Sequence, residues 1–395
     1  MELLIKNAEI IDWSQSFRGD IYIKDGKINE LGENIIKDCK VLEAEGLTLL
    51  PSFVDLHTHF REPGFTYKED IETGSLAAAR GGYTAVNLMA NTNPVCSNMD
   101  VVNLVNKRAA EVNLIDIHQT VSITNNFDGE DLSHIDGLDS SVVCLSDDGK
   151  GVANSKIMLE AMIKAKHKGL TIMSHAESEE LAGVDSRLAE NTMSWRDITL
   201  ARYTGCHLHL AHVSTKEVVS YIMEAKTQGC NITCEVTPHH IALTDETDYK
   251  VNPPLRKSED IEYIIKAIKA GYIDAIATDH APHSAEDKKK GANGISGIET
   301  AFSVCYTKLV KGGHITLNRL SELMSKNPSY IMNFNKGEIK IGREADFVLV
   351  NLNEKYEINS KNFASKGKNS PFDGYSVYGK IVSTIKRGKV IFNER

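Results

Sequence analysis

The sequence predicts an α/β fold: a (β/α)8 TIM barrel carrying a small composite β-sandwich-like domain built from both termini. Three observations predict it. Eight short apolar runs alternate with amphipathic helical stretches through the middle of the chain, the pattern of repeated βα units and a parallel sheet. His, Asp and Asn cluster at the C-terminal ends of those runs, where a barrel builds its site from the βα loops. Both chain ends read as short alternating strands with Gly turns, each too short to form its own core. A doubly wound open sheet is the alternative that strand counting leaves open.

Residues 1–51 supply the N-terminal part of the composite domain, with LLIKNAEII and DIYIKDGKINEL as its strands. Residues 52–335 form the barrel. Its runs are SFVDLHTHF, TAVNLMAN, LIDIHQTVSI, SVVCLSDDG, LTIMSHAES, HLHLAHVS, NITCEVTPHH and IDAIATDHAPH, and SKIMLEAMIKAKHKG, TKEVVSYIMEAKTQGC and SEDIEYIIKAIKAG are among the helices between them. Residues 336–395 return to strands with ADFVLVNL and YGKIVSTIKRGKVIF, which places the termini close together.

A chain of 395 residues with 41% hydrophobic and 25% charged residues has ample apolar surface for a core, which excludes a disulfide-stapled scaffold and wholesale disorder. Its net charge of -9 offers no electrostatic footprint for nucleic acid or anionic lipid. The start MELLIKNAEIID lacks a signal-peptide layout and no apolar run reaches a membrane span, so a cytoplasmic protein is expected. Seven scattered cysteines suit reduced thiols, and Cys230 with Cys234 lacks the second pair a zinc knuckle needs.

His57 and His59, two apart at a strand end, project from one face and can reach one metal ion. The spacing recurs in His207 and His209, so the weight lies in the further His and Asp residues at other strand ends. The fifth run brings His175 to the mouth. In the sixth, His212 lies beside the turn at the open face and is the better ligand, whereas His207 and His209, nearer the strand start, read as packed core. His239 and His240 read as supports. Asp279, after AIAT, can offer one oxygen to a metal and keep the other to move a proton. Asp147 and Asp148 face opposite ways, and one of them can bridge two metals; which one points inward stays open, as does an Asx turn with Gly149. A carboxylated Lys150 is the other candidate bridge, but its side chain would have to fold back over the metals.

Together HTHFREPG, NTNP, SDDG, HAE, HVST, EVTPHH, NPPLR and ATDHAPH, in this order across essentially the whole chain, resemble the bacterial dihydroorotases of the amidohydrolase superfamily. The resemblance implies two zinc ions per subunit and the reversible cyclisation of N-carbamoyl-L-aspartate to L-dihydroorotate in pyrimidine biosynthesis. By motif, His57 and His59 would hold the first zinc, His175 and His212 the second, Asp148 would bridge, and Asp279 would bind the first zinc and act as the base. Arg61, Asn91 and His283 are assigned to the substrate carboxylate, Asn252 to the ring, with His59 also at the substrate and Asn293 and Gly294 contributing backbone contacts. An Arg and an amide suit a carboxylate because they are donors that do not titrate.

The sequence departs from the pattern in a shorter segment between His175 and His212, in MAN where the family has MPN, and in the loop SAEDKKKGANGISG, which lacks the usual Pro-Phe before Gly294. Glu190 and Arg196 still resemble the family's buried acid and base, and the polar loop fits a flap over bound substrate. The partners expected are the small-molecule substrate, a second copy of the chain in a homo-oligomer such as a dimer, and aspartate transcarbamoylase as a possible associate; nucleic acid and membrane are not expected. The rival readings are another cyclic amidohydrolase of the allantoinase or dihydropyrimidinase type, which has no use for a carboxylate-binding Arg61, and an inactive scaffold, which would have lost ligands.

Overall fold

Strands from both ends of the chain share one sheet in the computed structural model, which describes residues 2–394. Its strands are β1 (Glu2–Ile11), β2 (Ser16–Lys24), β3 (Lys27–Gly32), β4 (Lys40–Glu43) and β5 (Thr48–Pro51) from one end, and β14 (Phe347–Glu357), β15 (Ser376–Lys386) and β16 (Lys389–Asn393) from the other. The order is β16-β15-β14-β5-β1-β2-β3, with β4 beside β1. Its hairpins follow from turn chemistry: Asp25-Gly26 and Arg387-Gly388 are two-residue loops with positive φ at both positions, the geometry whose twist matches antiparallel strands. Ile5, Ile10, Ile21, Leu49, Phe347 and Ile385 form a separate apolar cluster beneath this sheet.

Between the two ends lie eight parallel strands: β6 (Phe53–Thr58), β7 (Tyr83–Leu88), β8 (Asp116–Gln119), β9 (Cys144–Leu145), β10 (Thr171–Ser174), β11 (Leu208–Leu210), β12 (Ile232–Val236) and β13 (Ala275–Ile276). They form a three-stranded sheet, β6-β7-β8, and a five-stranded sheet, β13-β12-β11-β10-β9. Isolated parallel bridges pair Val121 with Leu145 and Thr58 with His280, and His59 N donates to His280 O at 2.9 Å. Every residue of β6 and β7 is buried, as expected of parallel strands covered on both faces.

The connecting helices are α1 (Ile71–Arg80), α2 (Met99–Val112), α3 (Ser155–Lys168), the short α4 (Glu179–Ala182), α5 (Ser186–Thr204), α6 (Lys216–Thr227), the short α7 (Pro238–Ala242), α8 (Ser258–Ala270) and the short α9 (Ala285–Lys289). Their ends are written locally: Asp70 and Thr73 cap α1 reciprocally, and Asn154 caps α3, which stops at a left-handed Gly169. In α8, Ile261, Ile264, Ile265 and Ile268 are buried while Glu262, Lys266 and Lys269 face solvent. Each such isoleucine contributes about 1.5–3 kcal/mol by leaving water.

Asp116 of β8, with Glu344 and Asp346, meets Lys336, Lys386 and Arg387 in an ion-pair cluster that fastens the parallel strands to the terminal sheet. The three carboxylates lie close enough to hold a cation, but those basic side chains already supply the compensating charge. No helix among the described residues is long and apolar enough to cross a membrane.

Candidate active site

The C-terminal ends of the parallel strands bring six side chains together. His57 is the last but one residue of β6 and His59 follows the strand, Asp148 follows β9, His175 follows β10, His212 follows β11 and Asp279 follows β13. All six are buried. Asp148 stands at the centre: its Oδ1 lies 3.2 Å from His57 Nε2, 3.3 Å from His175 Nδ1 and 3.6 Å from His212 Nε2, and its Oδ2 lies 3.5 Å from His59 Nε2. Asp279 Oδ1 lies 3.1 Å from His59 Nε2 and 3.7 Å from His57 Nε2, while His175 Nδ1 and His212 Nε2 are 2.9 Å apart.

Two overlapping groups in this cluster, His57 with His59 and Asp279 and His57 with Asp148 and His212, hold their donor atoms within 4.8 Å of one another. His57 Nε2 and Asp148 Oδ1 are buried with no hydrogen-bond partner, a costly state for polar atoms unless a cation takes the place between them. Imidazole and carboxylate donors suit a first-row divalent ion, so these residues fit a metal centre. Burial opposes charge on His57, but Asp148 and Glu235 overcome it and raise its pKa well above the usual value. Burial likewise works against the Asp148 and Asp279 carboxylates, and the neighbouring histidines hold both below the ordinary range.

The adjacent aspartate goes elsewhere. Asp147 accepts from Ile123 N at 2.6 Å, Thr124 N at 3.1 Å and Thr124 Oγ1 at 2.6 Å, so it braces the loop after β8. Lys150 also points away, its Nζ donating to Phe127 O at 2.7 Å.

Around the cluster, His59 Nδ1 bonds Asn91 Oδ1 at 2.8 Å, and Arg61 Nη2 lies 3.4 Å from His283 Nε2. Arg61 Nε is buried without a partner. Burial lowers the guanidinium pKa and the charges of Asp279 and Asp148 oppose that, so Arg61 looks electrostatically onto the cluster. The loops bearing Arg61 and Asn91 touch at Gly64, where a Cβ would stand 2.2 Å from Asn93 O. Arg61, His212 and Asp279 hold left-handed φ of 62°, 34° and 48°, a conformation a non-glycine residue keeps only where surrounding contacts impose it.

Asn252 donates to Glu177 Oε2 at 3.0 Å and lies 3.5 Å from His175 Nε2. Gly294 lies against His283, where a Cβ would stand 3.0 Å from His283 Cδ2, and its carbonyl is taken by Lys288 Nζ and Asn369 Nδ2, both at 3.0 Å, while the Asn293 backbone faces His283. The shortened loop forms α9 rather than an open coil. Glu190 pairs with Arg256 at 3.0 Å, and Arg196 instead turns to its neighbour Asp197.

Glu177 and Glu235 escaped the sequence reading. Glu235 carried a signal, a charged residue inside the apolar run NITCEV. His209 is fully buried as expected, but it is paired, with Nε2 3.1 Å from Glu235 Oε2. His240 bonds Thr237 and Pro253 O, which fits a supporting role. Cys230 and Cys234 are free thiols outside the metal-capable groups found among the described residues.

Parallel strands whose ends gather histidines and aspartates around one buried carboxylate define a class, and the chain belongs to it: the amidohydrolase family profile matches residues 48–391. Within the family it is similar to a dihydroorotase of Clostridium botulinum (strain Eklund 17B / Type B), 55% identical with both chains covered in full. It is also similar to a dihydroorotase of Acetivibrio thermocellus, 41% identical over 100% of this chain and 99% of that one. Among solved structures, dihydropyrimidinase from Brevibacillus agri superposes with a TM-score of 0.91 at 24% identity, over 100% of this chain and 95% of that one. L-hydantoinase from Arthrobacter aurescens does so with 0.90 at 25%, over 99% and 96%.

Proposed function

We propose that the chain is a metal-dependent cyclic amidohydrolase that interconverts N-carbamoyl-L-aspartate and L-dihydroorotate plus water. End-to-end likeness to dihydroorotases supports the reaction. The observation that carries the choice of substrate is Arg61, a guanidinium beside the His/Asp cluster whose buried Nε lacks a partner. A ring bearing a free carboxylate supplies that partner, and a neutral hydantoin-type ring does not.

His57, His59, Asp148, His175, His212 and Asp279 would hold two divalent ions, zinc by family likeness, with Asp148 shared because it faces all four histidines. Such ions, when bound, polarise the ring amide carbonyl and lower the pKa of water. Asp279 takes the proton of the attacking water and hands it to the leaving ring nitrogen; in the closing direction it takes a proton from the ureido nitrogen. Arg61 and Asn91 orient the carboxylate, with His283 beside Arg61, and Asn252, held by Glu177, lies along the ring.

The eight parallel strands are read as a closed (β/α)8 barrel, supported by the bridges Val121–Leu145 and Thr58–His280 between the two sheets. The division into 1–51, 52–335 and 336–395 rests on the shared terminal sheet and its own apolar cluster. A homo-oligomer such as a dimer and association with aspartate transcarbamoylase are proposed from family resemblance, and a cytoplasmic location from the signal-free reading of the sequence. Hydrolysis of L-dihydroorotate, compared with dihydrouracil and with metal content measured on the same sample, tests the reading. Turnover of dihydrouracil with none of dihydroorotate would replace it with a dihydropyrimidinase.

A further inference from the structure

A column of polar side chains leaves the cluster and runs along the strands toward their N-terminal ends. His57 Nδ1 meets Glu235 Oε1 at 2.9 Å, and Glu235 Oε2 meets His209 Nε2 at 3.1 Å. His209 Nδ1 then meets Thr233 Oγ1 at 2.8 Å, the same oxygen meets His207 Nε2 at 2.9 Å, and His207 Nδ1 meets Thr171 Oγ1 at 2.9 Å. His57, His209 and Glu235 have no exposed surface at all. Glu235 Oε1 also accepts from the backbone N–H of His212 at 3.4 Å, so one carboxylate touches two of the proposed ligands.

With one hydrogen on each imidazole, the carboxylate of Glu235 sets the direction of every bond in this column. A carboxylate only accepts, so His57 must carry its hydrogen on Nδ1 and His209 on Nε2. His209 Nδ1 is then a lone pair and takes the single hydroxyl hydrogen of Thr233. Thr233 Oγ1, its hydrogen spent, accepts from His207 Nε2–H, and His207 Nδ1 accepts from Thr171. Among placements with one hydrogen on each imidazole, this is the one that satisfies every contact in the column. With Nδ1–H committed to Glu235, Nε2 is the atom His57 has left for a metal, and it is the buried nitrogen without a partner 3.2 Å from Asp148 Oδ1.

We propose that Glu235 and His209 are positioning residues of the metal centre, Glu235 fixing the tautomer and orientation of His57 and the backbone of His212, and His209 fixing Glu235 through Thr233. The inference rests on the metal reading above. Apolar packing alone would be served by aliphatic residues at 207 and 209, and would leave no reason for each histidine nitrogen to have a hydroxyl or carboxylate partner.

The test is zinc affinity, measured by competition with a chromophoric chelator on metal-stripped protein. Glu235→Gln, which must present an N–H to one imidazole, is expected to bind zinc about 10- to 100-fold more weakly, the usual cost of removing such a support. His209→Leu should weaken binding about tenfold, and His209→Gln, whose amide can donate to Glu235 and accept from Thr233, should restore most of it. In 15N-histidine spectra of the metal-free protein, Glu235→Gln should lose the Nδ1–H signature of His57. If Glu235→Gln does not fold, the His209 pair and Thr233→Val carry the same comparison. Zinc affinity within twofold of the parent in the folded variants, or His209→Gln as weak as His209→Leu, overturns the inference. The metal reading fails separately, if the parent chain binds no zinc or if His57→Ala binds it as well as the parent.

Discussion

Arg61 Nη2 and His283 Nε2 face each other at 3.4 Å, and the pair is arranged so that the histidine stays neutral: burial, then the Arg61 charge, push its pKa down to about 4. A neutral His283 beside a guanidinium whose buried Nε has no partner makes a site for an anion, with Asp287 Oδ2 4.0 Å away on the far ring nitrogen of His283. Arg61→Lys keeps the charge and the same left-handed backbone requirement, but loses the planar fork. The Michaelis constant for dihydroorotate should rise about 10- to 100-fold, the equivalent of about 1.5–3 kcal/mol for a charge-assisted contact. Steady-state kinetics at saturating zinc check this, and an unchanged constant would remove the carboxylate assignment.

Asp279 is asked both to ligate and to carry a proton. Its Oδ1, 3.1 Å from His59 Nε2, survives in Asp279→Asn as a carbonyl oxygen, but the basic lone pair does not. Zinc content should fall little while turnover drops by about 10²–10⁴-fold or more. Atomic absorption and turnover on one preparation separate the two roles; near-normal turnover in the zinc-loaded variant would mean that another group moves the proton.

The contrast between Asp148 and Lys150 gives a third test. Asp148 reaches four histidines within 3.6 Å, whereas Lys150 is tied to Phe127 O. Asp148→Ala should lose at least one zinc, because two dications in one pocket need a shared anion to offset their repulsion. Lys150→Ala should keep both ions, and added bicarbonate should leave its activity unchanged. Loss of metal in Lys150→Ala with retention in Asp148→Ala would instead point to a carboxylated lysine.

The parts of this site that could be read from the chain are those where a polar residue interrupts or follows an apolar run. His57, His175, His212 and Asp279 were visible for that reason. Residues whose role depends on a partner one strand over were not. Alternation separates Asp147 from Asp148, but only the bonds from Ile123 and Thr124 show which faces away. His209 read as core, and it is buried; its partners Thr233 and Glu235 lie on β12, which no periodicity within β11 can reveal. Strands β9 and β13 are each two residues long, and the apolar runs that contain them continue beyond the paired backbone, so a run marks where a strand lies and not its length.

Stability in acid should depend on His118, a buried residue of β8. Its Nδ1 meets Asn87 Oδ1 at 2.7 Å, and its Nε2 accepts from Val143 N at 3.1 Å, a pattern available only to the neutral ring. Burial pushes its pKa down from 6.5 to about 4. The unfolded chain therefore binds this proton before the folded one does, so the contribution is fully present above pH 6.5 and is lost as pH falls toward 4. Between pH 7.5 and 5 the loss amounts to about 2 kcal/mol. His118→Gln can donate to Asn87 and accept from Val143 without titrating. It should be less stable than the parent at pH 7.5 through imperfect packing, and the gap should close by about 2 kcal/mol at pH 5. Urea unfolding of both proteins at the two pH values measures it, and parallel pH dependences would show that His118 does not hold its neutral form in the folded chain.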